Sequence, residues 1–231
     1  MNFFECIYEF STLFFPNCCI VCGAKLLPSE ESICLKCLYQ LPKTNNFREV
    51  GNSTETLLAG RFSFERAASF CTFSKEGIFQ SIIHHIKYKH KEKLGIAMGR
   101  LFGQDLKGSD FICPINLIIP VPLHPKKQKE RGYNQSERIA EGISEVTSIP
   151  VSRGNLVRTV YNPTQTKLNK TQRWENVENI FEVITPEEFS GKHVLLVDDI
   201  VTTGSTLEAC AMALSKCRGI KISVATLANV L

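Results

Sequence analysis

The stretch that most constrains this chain is His193-Val-Leu-Leu-Val-Asp-Asp-Ile-Val-Thr-Thr-Gly-Ser-Thr206. Val194 to Val197 are four consecutive apolar residues, β-branched at both ends, the pattern of a strand buried on both faces of a parallel sheet. Asp198 and Asp199 follow where such a strand emerges at its carboxyl end, and that is where open α/β sheets bind ligands. Thr202, Thr203, Gly204, Ser205 and Thr206 make a small, hydroxyl-rich turn. Leu207, Cys210, Ala211 and Leu214 then recur at helical spacing.

Strand, acidic pair, small-residue turn and helix form an order with a physical use. The turn's N–H groups and hydroxyls can surround a phosphate, and the helix N-terminus adds a favourable dipole. That dipole is worth only ~0.3–1 kcal/mol at an exposed site, but a phosphate collects several such donors at once. The two carboxylates, one step upstream, are placed to accept hydrogen bonds from ribose hydroxyls or to hold a hydrated Mg²⁺. A ribose 5-phosphate fits the arrangement. The alternative is an ordinary parallel strand whose surface acids mean nothing, set against the thirteen consecutive positions that satisfy the pattern. A Walker B strand would need a Gly-x4-Gly-Lys-Ser/Thr loop elsewhere, and the chain has none. The run resembles the phosphoribosyl-pyrophosphate (PRPP) motif of type I phosphoribosyltransferases.

A second constellation lies near the start. Cys19-Ile-Val-Cys22-Gly23 and Cys34-Leu-Lys-Cys37 are two C-x2-C knuckles, the spacing that holds tetrahedral Zn²⁺. Gly23 permits the tight turn that points both sulfurs inward. Cys18 is adjacent but lacks knuckle spacing to Cys22. Cys6, Cys71, Cys113, Cys210 and Cys217 read as core or incidental. Ten cysteines would suggest disulfides in a secreted chain. The N-terminus, however, carries Glu5 and Glu9 without a basic region or cleavage site, and no apolar run approaches the ~20 residues that span a bilayer. A reducing cytoplasm is the expectation. Net charge of +4 is compatible with polyphosphate or nucleic acid and diagnostic of neither.

Between these features, residues 2–15 read as an amphipathic helix with an aromatic face, stopped by Pro16. Residues 44–60 turn polar and read as a linker. Residues 61–74 alternate like a strand, and 77–90 read as a helix with Ile78, Phe79, Ile82, Ile83 and Ile86 on one stripe and a basic end at Lys87-Tyr88-Lys89. Ile118 to His124 read as a buried strand running into a loop. Lys126, Lys127, Lys129 and Arg131 on that loop, before Gly132, offer cations for a pyrophosphate. A helix with Ile139, Ala140, Ile143 and Val146 follows. Residues 158–181 combine Gln165, Lys167, Lys170 and Arg173 with few apolar positions, as expected of either a lid or a surface excursion. Lys221 to Ala228 read as the final strand.

Taken in this order, the set is similar to the ComF/GntX family: cysteine knuckles, Lys-Tyr helix end, Val-Pro-Leu-His-Pro with Arg-Gly-Tyr-Asn-Gln, Thr-x-x-Gln to Arg-x-x-Asn-Val, and the PRPP motif. The resemblance implies a helix and a four-cysteine zinc module at 1–48, a linker at 49–60, and a type I phosphoribosyltransferase domain at 61–231, an α/β fold with a parallel sheet flanked by helices. It implies that PRPP and Mg²⁺ are held by Asp198, Asp199, Thr202 to Thr206, Arg131, Gly132 and Lys87. Residues 164–176 would then be a hood, with Gln165, Lys170 and Arg173 joining the two Asp residues in catalysis. The sequence departs from the family at His90, where relatives often have Gly. Two functions follow. One is a Mg²⁺-dependent transferase that passes ribose 5-phosphate from PRPP to an acceptor. The other is a binding protein for single-stranded DNA or a competence helicase, linked to DNA uptake, that keeps the PRPP fold.

Overall fold

A computed structural model of the protein describes residues 17–88, 91–160 and 180–230. The expected helix over 2–15, His90, and Gln165, Lys170 and Arg173 of the expected hood lie outside them. The strands among the described residues are β1 (Ala67–Phe73), β2 (Leu117–Pro120), β3 (Leu156–Arg158), β4 (Phe181–Val183), β5 (His193–Val201) and β6 (Lys221–Val230). The helices are α1 (Leu35–Tyr39), α2 (Ser53–Leu58), α3 (Ile78–Tyr88), α4 (Glu92–Leu106), α5 (Pro125–Arg131), α6 (Gln135–Thr147) and α7 (Ser205–Leu214).

Four strands form one parallel sheet in the order β1, β6, β5, β2, and β3 pairs with β4 in a separate antiparallel ribbon. The unbroken apolar run of β5 is what a central strand requires. Val194, Leu195, Leu196 and Val197 are all fully buried. Leu195 and Val197 share one core with Ile82 and Ile86 of α3, Met98 of α4 and Ile139 and Ile143 of α6. Val194 and Leu196 share the other with Leu207, Cys210 and Leu214 of α7. Each such side chain removed from water contributes about 1.5–3 kcal/mol. The strand also runs further than expected. It pairs with β6 past the acids, Asp198 opposite Thr226 and Val201 opposite Asn229, because β6 itself continues to Val230.

The polar stretch 44–60 is folded, and its polarity is internal. Asn52 caps α2 by accepting from the N–H groups of Thr54 and Glu55. Its amide donates to the carbonyls of Asn46, Glu49 and Ala67. Glu55 accepts from Arg66 Nε at 2.7 Å and the Ala67 N–H at 3.1 Å. Asn46, Asn52, Thr54 and Glu55 are all buried, with their hydrogen-bonding capacity satisfied inside the fold.

Helix α4 has no counterpart in the periodicity reading, although Leu94, Met98, Phe102 and Leu106 recur every four residues and are all buried. Gly95, Gly99 and Gly103 form its contact stripe, facing Gly142 of α6. A Cβ on Gly99 would lie 2.2 Å from the Ile139 carbonyl oxygen, and one on Gly142 would lie 2.1 Å from that of Ile96. The two helices pack backbone to backbone along this glycine seam. The cysteine segment also belongs to the main core, where Cys19, Leu26, Ile33, Cys34, Cys37 and Leu41 pack with Phe70 and Phe102.

Candidate functional site

Adjacent strand residues point to opposite faces, and the two carboxylates at the end of β5 accordingly meet different neighbours. Asp198 Oδ1 accepts from Ser136 Oγ and from the Asp199 N–H, both at 2.9 Å. Asp199 Oδ2 sits 3.0 Å from Lys87 Nζ. This contact is an ion pair that lacks hydrogen-bond geometry, so the buried oxygen has no hydrogen-bond donor. Burial first, then the neighbouring Asp199 charge, pushes the Asp198 carboxyl up to about 7. The Asp199 N–H, the Ser136 hydroxyl and Lys87 oppose that rise.

The turn after β5 opens a cleft lined by Asp198 and by Thr202, Thr203, Gly204, Ser205 and Thr206. Gly204 has φ +77°, the left-handed region that a side chain strains, and a Cβ there would lie 2.7 Å from Leu58 Cδ2. The first-turn N–H groups of α7 lack intrahelical acceptors by the nature of a helix start, and Ser205, Thr206 and Leu207 of that turn line this cleft. Thr203 and Ser205 hydroxyls meet at 3.1 Å. Anion-accepting donors and a carboxylate thus share one small concavity.

Residues 124–132 differ from the loop expected there. His124 Nδ1 caps α5 through the Lys126 N–H, Pro125 occupies the first turn, and Gly132 ends the helix at φ 84°. Lys126 and Lys129 are exposed on this helix. The His124 imidazole is held below its ordinary value, by burial first and then by the charges of Arg158, Lys126 and Lys127. Arg131 is engaged, with Nη1 donating to Gln135 Oε1 at 2.9 Å and the guanidinium 5.4 Å over the Tyr88 ring. Arg131 and Gly132 lie outside the lining of the Thr202–Leu207 cleft. Next to them, the buried Tyr133 hydroxyl donates to the Ile86 carbonyl, and Asn134 caps α6 through the Ser136 N–H. This turn therefore anchors the end of α3 and brings Lys87 to the acids.

Two residues of the site escaped the sequence reading. Ser136 has no signal beyond following the Asn134 cap. Arg158, at the end of β3, stacks 5.5 Å over Phe181 and donates weakly from Nε to the Val160 carbonyl at 3.4 Å. Burial lowers its pKa, against the opposing influence of Cys210 and Asp198.

The four knuckle cysteines converge. Their sulfurs lie within 4.8 Å of one another, with Cys22 and Cys34 Sγ 3.7 Å apart. A tetrahedron of thiolates at Zn–S ~2.3 Å has edges of about 3.8 Å, so the donor set fits a metal ion. Burial raises the Cys19 thiol, but N–H groups led by that of Cys34, then Cys22 and Val21, outweigh it and bring the value down to about 6. Burial, then hydrogen bonding with Cys22, Cys34 and Cys19, drives Cys37 the other way. Glu30 braces the knuckles by accepting from the Leu27 and Leu35 N–H groups, each at 2.7 Å. Cys18 is exposed and outside the cluster. Of the remaining cysteines, Cys71, Cys210 and Cys217 are buried and Cys113 is exposed. No helix among the described residues is long and apolar enough to cross a membrane.

Comparison with known proteins gives a consistent picture. The family described as "Phosphoribosyl transferase domain" matches residues 141–231. The chain is 30% identical over 201 residues to Competence protein F of Haemophilus influenzae, covering 86% of this chain and 78% of that one. It is 26% identical over 199 residues to the DNA utilization protein YhgH of Escherichia coli K12, covering 85% and 83%. Among solved structures, it is 12% identical to an adenine phosphoribosyl transferase from Trypanosoma brucei, with a TM-score of 0.41 over 68% of this chain and 82% of that chain.

Proposed function

The chain belongs to the ComF family of competence proteins and has the type I phosphoribosyltransferase fold, and from that premise we propose that it binds PRPP with Mg²⁺ and transfers its ribose 5-phosphate to an acceptor. The observation that carries this reading is the cleft in which Asp198 and the Thr202–Thr206 turn share one wall. The turn and the start of α7 hold the 5-phosphate, and the acids accept hydrogen bonds from the ribose hydroxyls. Mg²⁺ bound with the pyrophosphate supplies neutralisation of the charge that develops on departure. Lys87, paired with Asp199, is the cation already stationed beside the sugar. Gln165, Lys170 and Arg173, which lie outside the described residues, complete the proposed set.

The cysteine cluster, in this reading, holds one structural Zn²⁺, and the reducing cytoplasm is the matching compartment. A second function is favoured by the exposed Lys126 and Lys129 of α5 together with relatives named for competence and DNA utilization. It is binding of single-stranded DNA or a competence helicase, with PRPP as effector.

Calorimetry with Mg·PRPP tests the first reading. Asp199→Asn is expected to weaken binding. Gly204→Val is expected to abolish it, because the new side chain meets Leu58 and distorts the turn. Unchanged affinity in both variants would sink the assignment. Pyrophosphate release across a panel of nucleobases and oligonucleotides then separates transferase from binding protein.

A further inference from the structure

The cleft poses a charge problem. Its lining, residues 198 and 200–207, holds one carboxylate and no cation. Glu208, in the first turn of α7, adds a second carboxylate beside it. A phosphate monoester brings about 1.5 to 2 negative charges at neutral pH. Helix N–H groups offset part of this repulsion, and a cation reaching the cleft from outside the lining would offset more of it.

Arg61 is placed to do so. It closes the turn after α2, where its N–H donates to the Leu58 carbonyl at 3.2 Å. A Cβ on Gly204 would lie 3.0 Å from Arg61 Cδ and 3.3 Å from Arg61 Nε. The side chain therefore runs along the backbone of the phosphate turn itself. Its Nη1 meets Glu208 Oε2 at 3.3 Å, and this is its one ion pair among the described residues. Side chains of both partners are about a third exposed, at 36% and 30%, so solvent screens the pair and little holds it closed. A guanidinium fork engaged at one donor retains the geometry for bidentate phosphate recognition.

We infer that Arg61 is a phosphate-binding residue of this site, held by Glu208 in the structure and competed for by a phosphate seated on the Thr202–Thr206 turn. The inference rests on the reading that this turn holds the 5-phosphate of PRPP. Glu208 is then an internal competitor, occupying the cation that the ligand needs. The alternative is a tie, a surface ion pair that only fastens the α2 turn to α7. The two accounts differ at Arg61. Neutralising a phosphate ligand weakens binding, whereas neutralising a tie leaves it unchanged; removing the Glu208 carboxylate beside the cleft relieves repulsion of an anion in either account.

The test is calorimetric titration of the full-length protein with ribose 5-phosphate and with Mg·PRPP, at low salt. Wild type is compared with Arg61→Gln, Arg61→Lys and Glu208→Gln, with thermal melting used to confirm that each variant is folded. Arg61→Gln is expected to weaken both ligands roughly tenfold, the loss typical of a charge-assisted hydrogen bond. Arg61→Lys should fall between, and Glu208→Gln should tighten both several-fold. Should Arg61→Gln fail to fold, Arg61→Lys decides, since a phosphate ligand loses affinity with its guanidinium fork and a tie does not. Wild-type binding that is unchanged in Arg61→Gln, or not tightened in Glu208→Gln, overturns the role of Arg61 alone. A wild type that binds neither ligand overturns the phosphate-turn reading and this inference with it.

Discussion

Asp198 carries a stability cost that its position at the site explains. Its carboxyl is buried against Ser136, the Asp199 N–H and the Asp199 charge, with Lys87 and Arg158 as the nearby cations, and burial pushes it up to about 7 from its ordinary value of 3.8. Between those two values the unfolded chain binds fewer protons than the folded one, so stability falls as pH rises. The favourable contribution is complete below about pH 4 and lost once pH passes about 7. Asparagine keeps the acceptor oxygen for both donors and removes the charge. Asp198→Asn should therefore be more stable than wild type at pH 8, by about 4 kcal/mol at most, since a displacement of about three pKa units corresponds to ~1.4 kcal/mol per unit, and the gain should vanish towards pH 4. Urea unfolding at several pH values checks this, and a pH-independent difference would refute it. The chemistry of this residue was legible from the acidic pair and the turn that follows. Its inward anchoring was not, because Ser136 is 62 residues away in the chain and a serine after an N-cap asparagine looks like any helix start.

At the level of elements, what the sequence conceals is packing that uses no large side chain. β5 announces itself because a strand covered on both faces has to be apolar at every position. The α4–α6 seam is built from Gly95, Gly99, Gly103 and Gly142, residues that a hydrophobic period passes over, and 44–60 hides a helix because its buried groups are Asn, Thr and Glu. Linear reading cannot separate a polar residue capped inside the fold from one in water. The seam makes a sharp prediction. Gly99→Ala places a methyl 2.2 Å from a backbone oxygen, which only separation of the helices relieves, so a loss of about 3 kcal/mol or more is expected. Gly108→Ala is the control. Nothing lies within 4 Å of its Cβ, and it carries only the positive-φ strain, about 1–2 kcal/mol. Equal denaturation midpoints for the two variants would show that the seam yields easily.

On the scale of the molecule, the cysteine segment and the sheet are joined by more than chain connectivity. Ser81 Oγ of α3 donates to the Ile20 carbonyl at 3.1 Å, and Lys43 pairs with Asp105 of α4 at 2.9 Å. Residues 42–44 also run beside β1, where the Thr44 N–H donates to Phe70 O at 3.0 Å and the Thr72 N–H to Pro42 O at 2.9 Å. The knuckles read as a separate module in sequence because their spacing is self-contained, but Cys19, Cys34 and Cys37 are part of the core that contains Phe70, Phe102 and Ile86. Structural zinc carries apparent binding energies of ~10–16 kcal/mol in small peptides, and if the knuckles hold the proposed Zn²⁺, part of that energy is available to the shared core. Removing the metal should then lower the midpoint of the main unfolding transition instead of producing a separate early one. The expected result is a single melting step, displaced downward by about 6–12 °C, if only ~3 kcal/mol of the metal's contribution reaches the rest of a domain of this size. Hydrogen exchange should show loss of protection in α3 and β1 as well as in residues 17–41. A chelated protein that keeps its main transition and its β1 protection while residues 17–41 exchange freely would show instead that the knuckles fold as an independent unit.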